Sequence, residues 1–138
     1  AKSVSSSLCS GKKATASNVF RAQESYAPGM ALDDDESTRW ATDAGTHSAW
    51  LEVDLGTECL LGRARIVQEA EFATRIRKFE LQRKEGEDWK TILAGTSTPA
   101  DFVQDFTAVS ARFVRLAILE ATEGPTINEF QLCAPKVK

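Results

Sequence analysis

ALDDDESTRWAT at Ala31–Thr42 and WLEVDLG at Trp50–Gly56 decide how this chain is read. The first stretch sets Asp33, Asp34, Asp35 and Glu36 in succession ahead of Thr38 and Trp40. The second alternates Leu51, Val53 and Leu55 with Glu52 and Asp54, so an extended strand there has one apolar face and one wet face. An acidic loop feeding the edge of such a strand suits a rigid turn on a β-sandwich that holds a cation. Neither stretch supplies a catalytic pair, and the first expectation is a module that binds.

The same period of two recurs along the chain. Ala64 and Ile66 alternate with Arg63 and Arg65; Phe79 and Leu81 with Lys78, Glu80 and Gln82. Val114, Leu116 and Ile118 alternate with Arg115 and Ala117, and Phe130 and Leu132 with Glu129 and Gln131. Breakers fall between these runs: Pro28-Gly29, Gly56, Gly86, Gly95 with Pro99, and Gly124-Pro125. No window keeps helical periodicity for three turns. The pattern predicts an all-β protein, a jelly-roll sandwich of about eight strands.

A chain of 138 residues can bury a core as one domain. Its net charge of −3 and its scattered basic residues give no track for a phosphate backbone, which excludes nucleic acid and anionic membrane as default partners. No apolar run approaches the ~18 residues of a membrane span. The opening AKSVSSSLCS is polar and Ser-rich, so residues 1–10 read as a linker tail and 11–138 as the domain. Of the three cysteines, Cys9 and Cys133 bracket the strands and can staple the two ends as a disulfide, which would favour an oxidising compartment. Cys59 reads as a small buried hydrophobe.

Three constellations carry chemistry. Asp33 to Thr38 can give a hard cation the six to eight oxygens it seeks, from carboxylates and inward-turned carbonyls; a solvated acidic turn is the plain alternative. An EF-hand is excluded, because the twelfth position counted from Asp33 is Ala44. His47, the single histidine, lies in a polar loop, either as an inert surface group or as a hydrogen-bonding residue for a polar ligand. The connection Gln68–Arg75 gathers Glu69, Glu71, Phe72 and Arg75, the aromatic and planar charged groups that suit a sugar ring, or a solvated hairpin with an internal ion pair. Glu69 and Glu71 stand two apart on one loop and would share a face, which disfavours a glycosidase pair flanking a bond. Trp40, Trp50 and Trp89 read as structural.

ALDDDESTRWAT, AWLEVDLG, KFELQRKEGEDWKTI, ARFVRLAIL and PTINEFQL, in this order over Lys12 to Cys133, resemble the coagulation factor 5/8 type C, or discoidin-like, domains. Within them the chain is similar to carbohydrate-binding modules of the family 32 kind. WATD, IVQEAE and LAILEATEGPTINEFQL look closest to the C-terminal β-sandwich of family 29 alpha-L-fucosidases. The resemblance implies a galactose-binding-domain-like fold and a structural calcium. Its ligands would be the carbonyls of Met30, Asp35 and Asn128, the side chains of Asp33 and Glu129, and the carbonyl and hydroxyl of Thr38. For the sugar, the relatives' histidine and arginines match His47 and Arg75 by position.

The resulting expectation is a module with no catalysis of its own in a secreted or periplasmic glycoside hydrolase, such as an alpha-L-fucosidase. It would bind terminal fucose or galactose of glycans and have the parent catalytic domain as its other partner. The rival is a structural accessory domain that packs on its enzyme and holds no ligand.

Overall fold

Alternation becomes strand wherever one face can be buried. In the computed structural model, which describes residues 7–135, the strands are β1 (Lys13–Ala16), β2 (Trp40–Ala41), β3 (Ala49–Val67), β4 (Ile76–Glu85), β5 (Asp88–Gly95), β6 (Asp101–Ala121), β7 (Thr126–Ile127) and β8 (Glu129–Cys133). Every pairing among them is antiparallel. The main sheet runs β1-β3-β6-β4-β5, with β8 also on β3, and β2 pairs β7 apart from it.

Two long strands organise the sandwich. Ala49–Asp54 of β3 pairs Phe113–Ile118 of β6, next to β1 and β4. Further along, Arg63–Val67 of β3 pairs both Asp101–Asp105 of β6 and β8. The alternation predicts two strands, Trp50–Leu55 and Arg63–Ile66, where the structure has one of 19 residues. Gly56, at φ 86°, bends β3 where the register shifts between Asp54 and Cys59. A glycine in left-handed conformation inside a strand makes such an irregularity without ending the pairing.

The two stretches fold their apolar faces on each other. Leu51, Val53 and Leu55 join Val114, Leu116 and Ile118, Phe79 and Leu81, and from the other stretch Ala64, Ile66, Phe130 and Leu132, in one buried cluster. Trp40 is fully buried in that cluster, as the sequence suggests, with its indole N–H donating to the Asn18 carbonyl at 2.9 Å. Trp50 and Trp89 are half-buried and flank the Arg115 guanidinium at 4.5 and 4.3 Å.

Two expectations at the chain ends change. Residues 1–6 of the expected linker tail lie outside the described residues, but Leu8 donates its N–H to the Leu132 carbonyl at 2.7 Å and Cys9 is fully buried. The expected Cys9–Cys133 disulfide is not formed, because all three cysteines are free. Cys9 packs into the core cluster and takes a hydrogen bond from the Leu132 backbone, while Cys133 is half-buried at the end of β8. Burial pushes the Cys9 thiol far up, so it behaves as a hydrophobe. Cys59, expected to be buried, is half-exposed beside the irregularity in β3.

Leu51 sits at the middle of this packing with no exposure. Leu51→Ala is expected to destabilise the domain by about 2–5 kcal/mol, the range for emptying a core leucine, read as a lower urea midpoint at unchanged slope.

Candidate functional site

The short ladder between β2 and β7 sets two groups of side chains of chemical interest side by side. Trp40 pairs Ile127 and Ala41 pairs Thr126. This fixes the Asp33–Thr38 loop, just before β2, against Asn128 and Glu129, just after β7. It also places Arg39 and Thr42 beside Thr126 and Gly124 at one cleft.

The first of the two arrangements is a convergence of oxygens. The Thr38 hydroxyl lies 3.3 Å from the Met30 carbonyl, 2.6 Å from an Asp33 carboxylate oxygen and 3.0 Å from the Asp35 carbonyl. One hydroxyl proton satisfies only one of these three acceptors. Glu129, 1% exposed, aims its carboxyl at the same place. Its Oε1 accepts from Gln131 at 3.2 Å, and its Oε2 is buried with no hydrogen-bond partner. Burial, opposed by the Gln131 hydrogen bond but reinforced by the Asp33 carboxyl and the Asp34 charge, pushes the Glu129 carboxyl up to about 7. Asn128 donates to the Glu36 carbonyl and to Glu69, each at 3.0 Å, while its own Oδ1 is buried and unpartnered. Among the described residues no three His, Cys, Asp and Glu side chains gather as a metal cluster. Here two carboxylates are joined by carbonyls and a hydroxyl, the donor set of a hard cation.

The second arrangement is a cleft of about 270 Å³. Phe20, Tyr26 and Phe72 supply aromatic walls, and Arg39, Arg75 and Glu123 supply charge. Phe20 meets Tyr26 edge-on at 5.4 Å between ring centres. Phe72 and Arg75 stand three apart on the 3₁₀ turn Ala70–Arg75, a spacing that stacks side chains on one face. The Arg75 guanidinium lies 4.2 Å from the Phe72 ring centre and donates to the Gly124 carbonyl at 2.6 Å. The backbone N–H groups of Gly45 and Gly124 hold the Glu123 carboxyl below the usual carboxylate range, helped by the Arg75 and His47 charges. A Cβ at Gly124 would stand 2.6 Å from the Asp43 carbonyl, so only glycine fits there. Arg39 Nε and Thr126 Oγ1 are buried and without partners.

The structure divides the expected sugar residues. Phe72 and Arg75 line the cleft. His47 is close enough to influence Glu123, but its Nδ1 is 2.8 Å from the Ala121 carbonyl, which makes that nitrogen a donor and ties the ring to the backbone. Glu69 turns the other way and braces Asn128, and Glu71 is exposed on the turn and does not line the cleft. Sequence reasoning missed Phe20, Tyr26, Arg39, Glu123 and Thr126. Arg39 stood inside the quoted motif, one residue past Thr38. Phe20 and Tyr26 sit on irregular 3₁₀ turns with no periodicity to flag them.

The profile of the F5/8 type C domain family matches residues 13–132. A protein of Oryza sativa subsp. japonica named as an alpha-L-fucosidase is 26% identical over 107 residues, 78% of this chain. The chain spans 21% of that relative's length. Among solved structures, chitosan-binding module 1 of a chitosanase/glucanase from Paenibacillus sp. IK-5 has a TM-score of 0.80 at 26% identity, covering 91% of this chain and 97% of its own. A Bacteroides thetaiotaomicron protein described as an alpha-L-fucosidase has a TM-score of 0.86 at 24% identity, covering 95% of this chain and 29% of its own. The fold is thus that of a carbohydrate-binding module related to accessory domains of glycoside hydrolases.

The raised Glu129 acid has a consequence for stability. The folded state holds its proton up to about pH 7 while the unfolded chain releases it near 4.5, so folding stability falls as pH rises through that window. In metal-free protein, the wild type is expected to lose stability relative to Glu129→Gln between about pH 4.5 and 7. Urea titrations of both proteins across that range check it, and a constant difference contradicts it.

Proposed function

The chain belongs to the F5/8 type C domain family, and from that membership we propose that it is a non-catalytic carbohydrate-binding module of a secreted or periplasmic glycoside hydrolase, with an alpha-L-fucosidase as parent. It holds one terminal sugar, such as fucose or galactose, in the cleft between Phe20, Phe72 and Arg75. The observation that carries this reading is the cleft itself, with the aromatic walls of Phe20, Tyr26 and Phe72 beside the guanidinium donors of Arg39 and Arg75. A sugar ring offers C–H faces to such walls and hydroxyls to such donors. At about 270 Å³ the space lies just under the ~300–1,000 Å³ typical of drug-sized ligands and suits a single ring.

A site this small binds weakly, and its use is tethering. Holding one sugar of a polymer turns the enzyme's next encounter into an intramolecular one, raising effective concentration without a new catalytic contact. Among the described residues Glu123 is the one carboxylate that lines the cleft, and backbone N–H groups hold it as a structural brace.

The oxygen cluster fits a structural calcium. Met30, Asp33, Asp35, Thr38, Asn128 and Glu129 would hold it. The ion would supply positive charge where two carboxylates and several carbonyls face one another, and would tie the loop before β2 to the segment after β7. Bound there, it would offset the cost of burying an unpartnered Glu129 oxygen.

Three measurements follow. On a glycan array the folded domain is expected to bind fucose- or galactose-terminated glycans, and failure by well-folded protein contradicts the reading. Phe72→Ala and Arg75→Ala are each expected to weaken binding by tenfold or more, about 1.4 kcal/mol, in titration calorimetry. Saturating calcium is expected to raise the melting temperature by roughly 5–10 °C, as a ligand bound only by the folded state must, with Asp33→Ala abolishing the shift.

A further inference from the structure

The cleft's electrostatics narrow the ligand beyond sugar in general. Among the described residues six arginines are half-buried: Arg39, Arg63, Arg65, Arg75, Arg83 and Arg115. Four of them face a carboxylate, namely Asp105, Asp101, Glu85 and Glu52 respectively for Arg63, Arg65, Arg83 and Arg115. Arg75 donates to the Gly124 carbonyl. Arg39 has neither an ion-pair partner nor a hydrogen-bond acceptor, and its Nε is buried.

Its neighbours explain how it is held. The guanidinium lies 5.6 Å from the Tyr26 ring centre and 5.7 Å from that of Phe72. Rings attract a cation through their faces but accept none of its in-plane N–H bonds. Within the cleft, Arg39 and Arg75 bring two positive charges against the single negative charge of Glu123, which the Gly45 and Gly124 N–H groups already occupy. Asp33 to Glu36 lie only a few residues earlier, yet Arg39 pairs with none of them; Arg65 takes Glu36 instead. The sequence supplies acids close by along the chain, and the fold pairs none of them with this guanidinium.

We propose that the cleft receives a sugar bearing an anionic substituent, a carboxylate or a sulfate ester, and that Arg39 is the group that pairs with it. This rests on the carbohydrate-binding reading above and sharpens it. A planar fork of donors matches two oxygens of a carboxylate or sulfate in bidentate fashion. A neutral diol can accept the same hydrogen bonds but leaves the partly desolvated charge uncompensated. The aromatic walls take the ring, and Arg39 reads the charge.

Calorimetric titration with galactose, galacturonic acid and galactose 6-sulfate tests it. At least one acidic sugar is expected to bind tenfold or more tightly than galactose, and the better of the two identifies the substituent. Raising sodium chloride from about 50 mM to about 500 mM is expected to close most of that gap, because exposed charge pairs are screened. Arg39→Gln is expected to bring the acidic sugars to the level of galactose; should that variant not fold, the salt dependence of the wild type decides. Equal binding of all three sugars overturns this inference alone, as does an acid preference that survives Arg39→Gln. Failure to bind any of the three overturns the inference, and a blank glycan array then takes the module reading with it.

Discussion

Two residue pairs, Trp40 with Ile127 and Ala41 with Thr126, hold the functional end of this domain together. They join segments more than eighty positions apart in sequence, and Trp40 and Ile127 are both fully buried. Apolar burial, rather than the few ladder hydrogen bonds, keeps so short a pairing in place. The oxygens and one wall of the cleft are then positioned by where the chain enters and leaves that ladder, while Phe20, Tyr26, Phe72 and Arg75 come from turns elsewhere. Before β2 and after β7 come the oxygens; around Arg39, Thr42 and Thr126 comes the cleft.

The two sites are electrostatic opposites. On one side the buried Glu129 carboxyl meets the exposed Asp33 carboxylate and a group of carbonyls, and burial with these neighbours pushes Glu129 up to about 7. On the other a guanidinium sits between rings with no acceptor. A protein built only for stability would let these charges neutralise each other, since Thr38 and Arg39 are adjacent. Their separation suits a surface made to receive an ion on one side and a ligand on the other. The nearby ion pairs, such as Arg65 with Asp101, show that this fold satisfies its charges where nothing else is needed.

Much of this was legible in the residues. Period-two alternation located β4, β6, β8 and both halves of β3, because one buried face leaves that mark. It could not show that the two halves are one strand, since a glycine in left-handed conformation looks like a turn until its flanking residues are seen to stay paired. The meeting of Met30–Thr38 with Asn128–Glu129 followed from the family resemblance, and the structure does bring those segments together. The cleft was half-visible: Phe72 and Arg75 could be named from residue type on a loop. Tyr26, Arg39 and Thr126 could not: Tyr26 sits on a 3₁₀ turn with no periodicity to flag it, and Arg39 and Thr126 stand out only through buried atoms without a hydrogen-bond partner, which packing alone reveals. Glu69 and His47 have the right chemistry for a sugar, but Asn128 and the Ala121 carbonyl claim them first.

Amide chemical-shift mapping by NMR tests most directly whether one place on this domain holds a ligand. Titrating sugars into labelled protein is expected to move the amides of Gly45, Phe72, Arg75 and Gly124 together while the amides of β5 stay still. Shifts confined to the sheet faces, or none at concentrations well into the millimolar range, would contradict it.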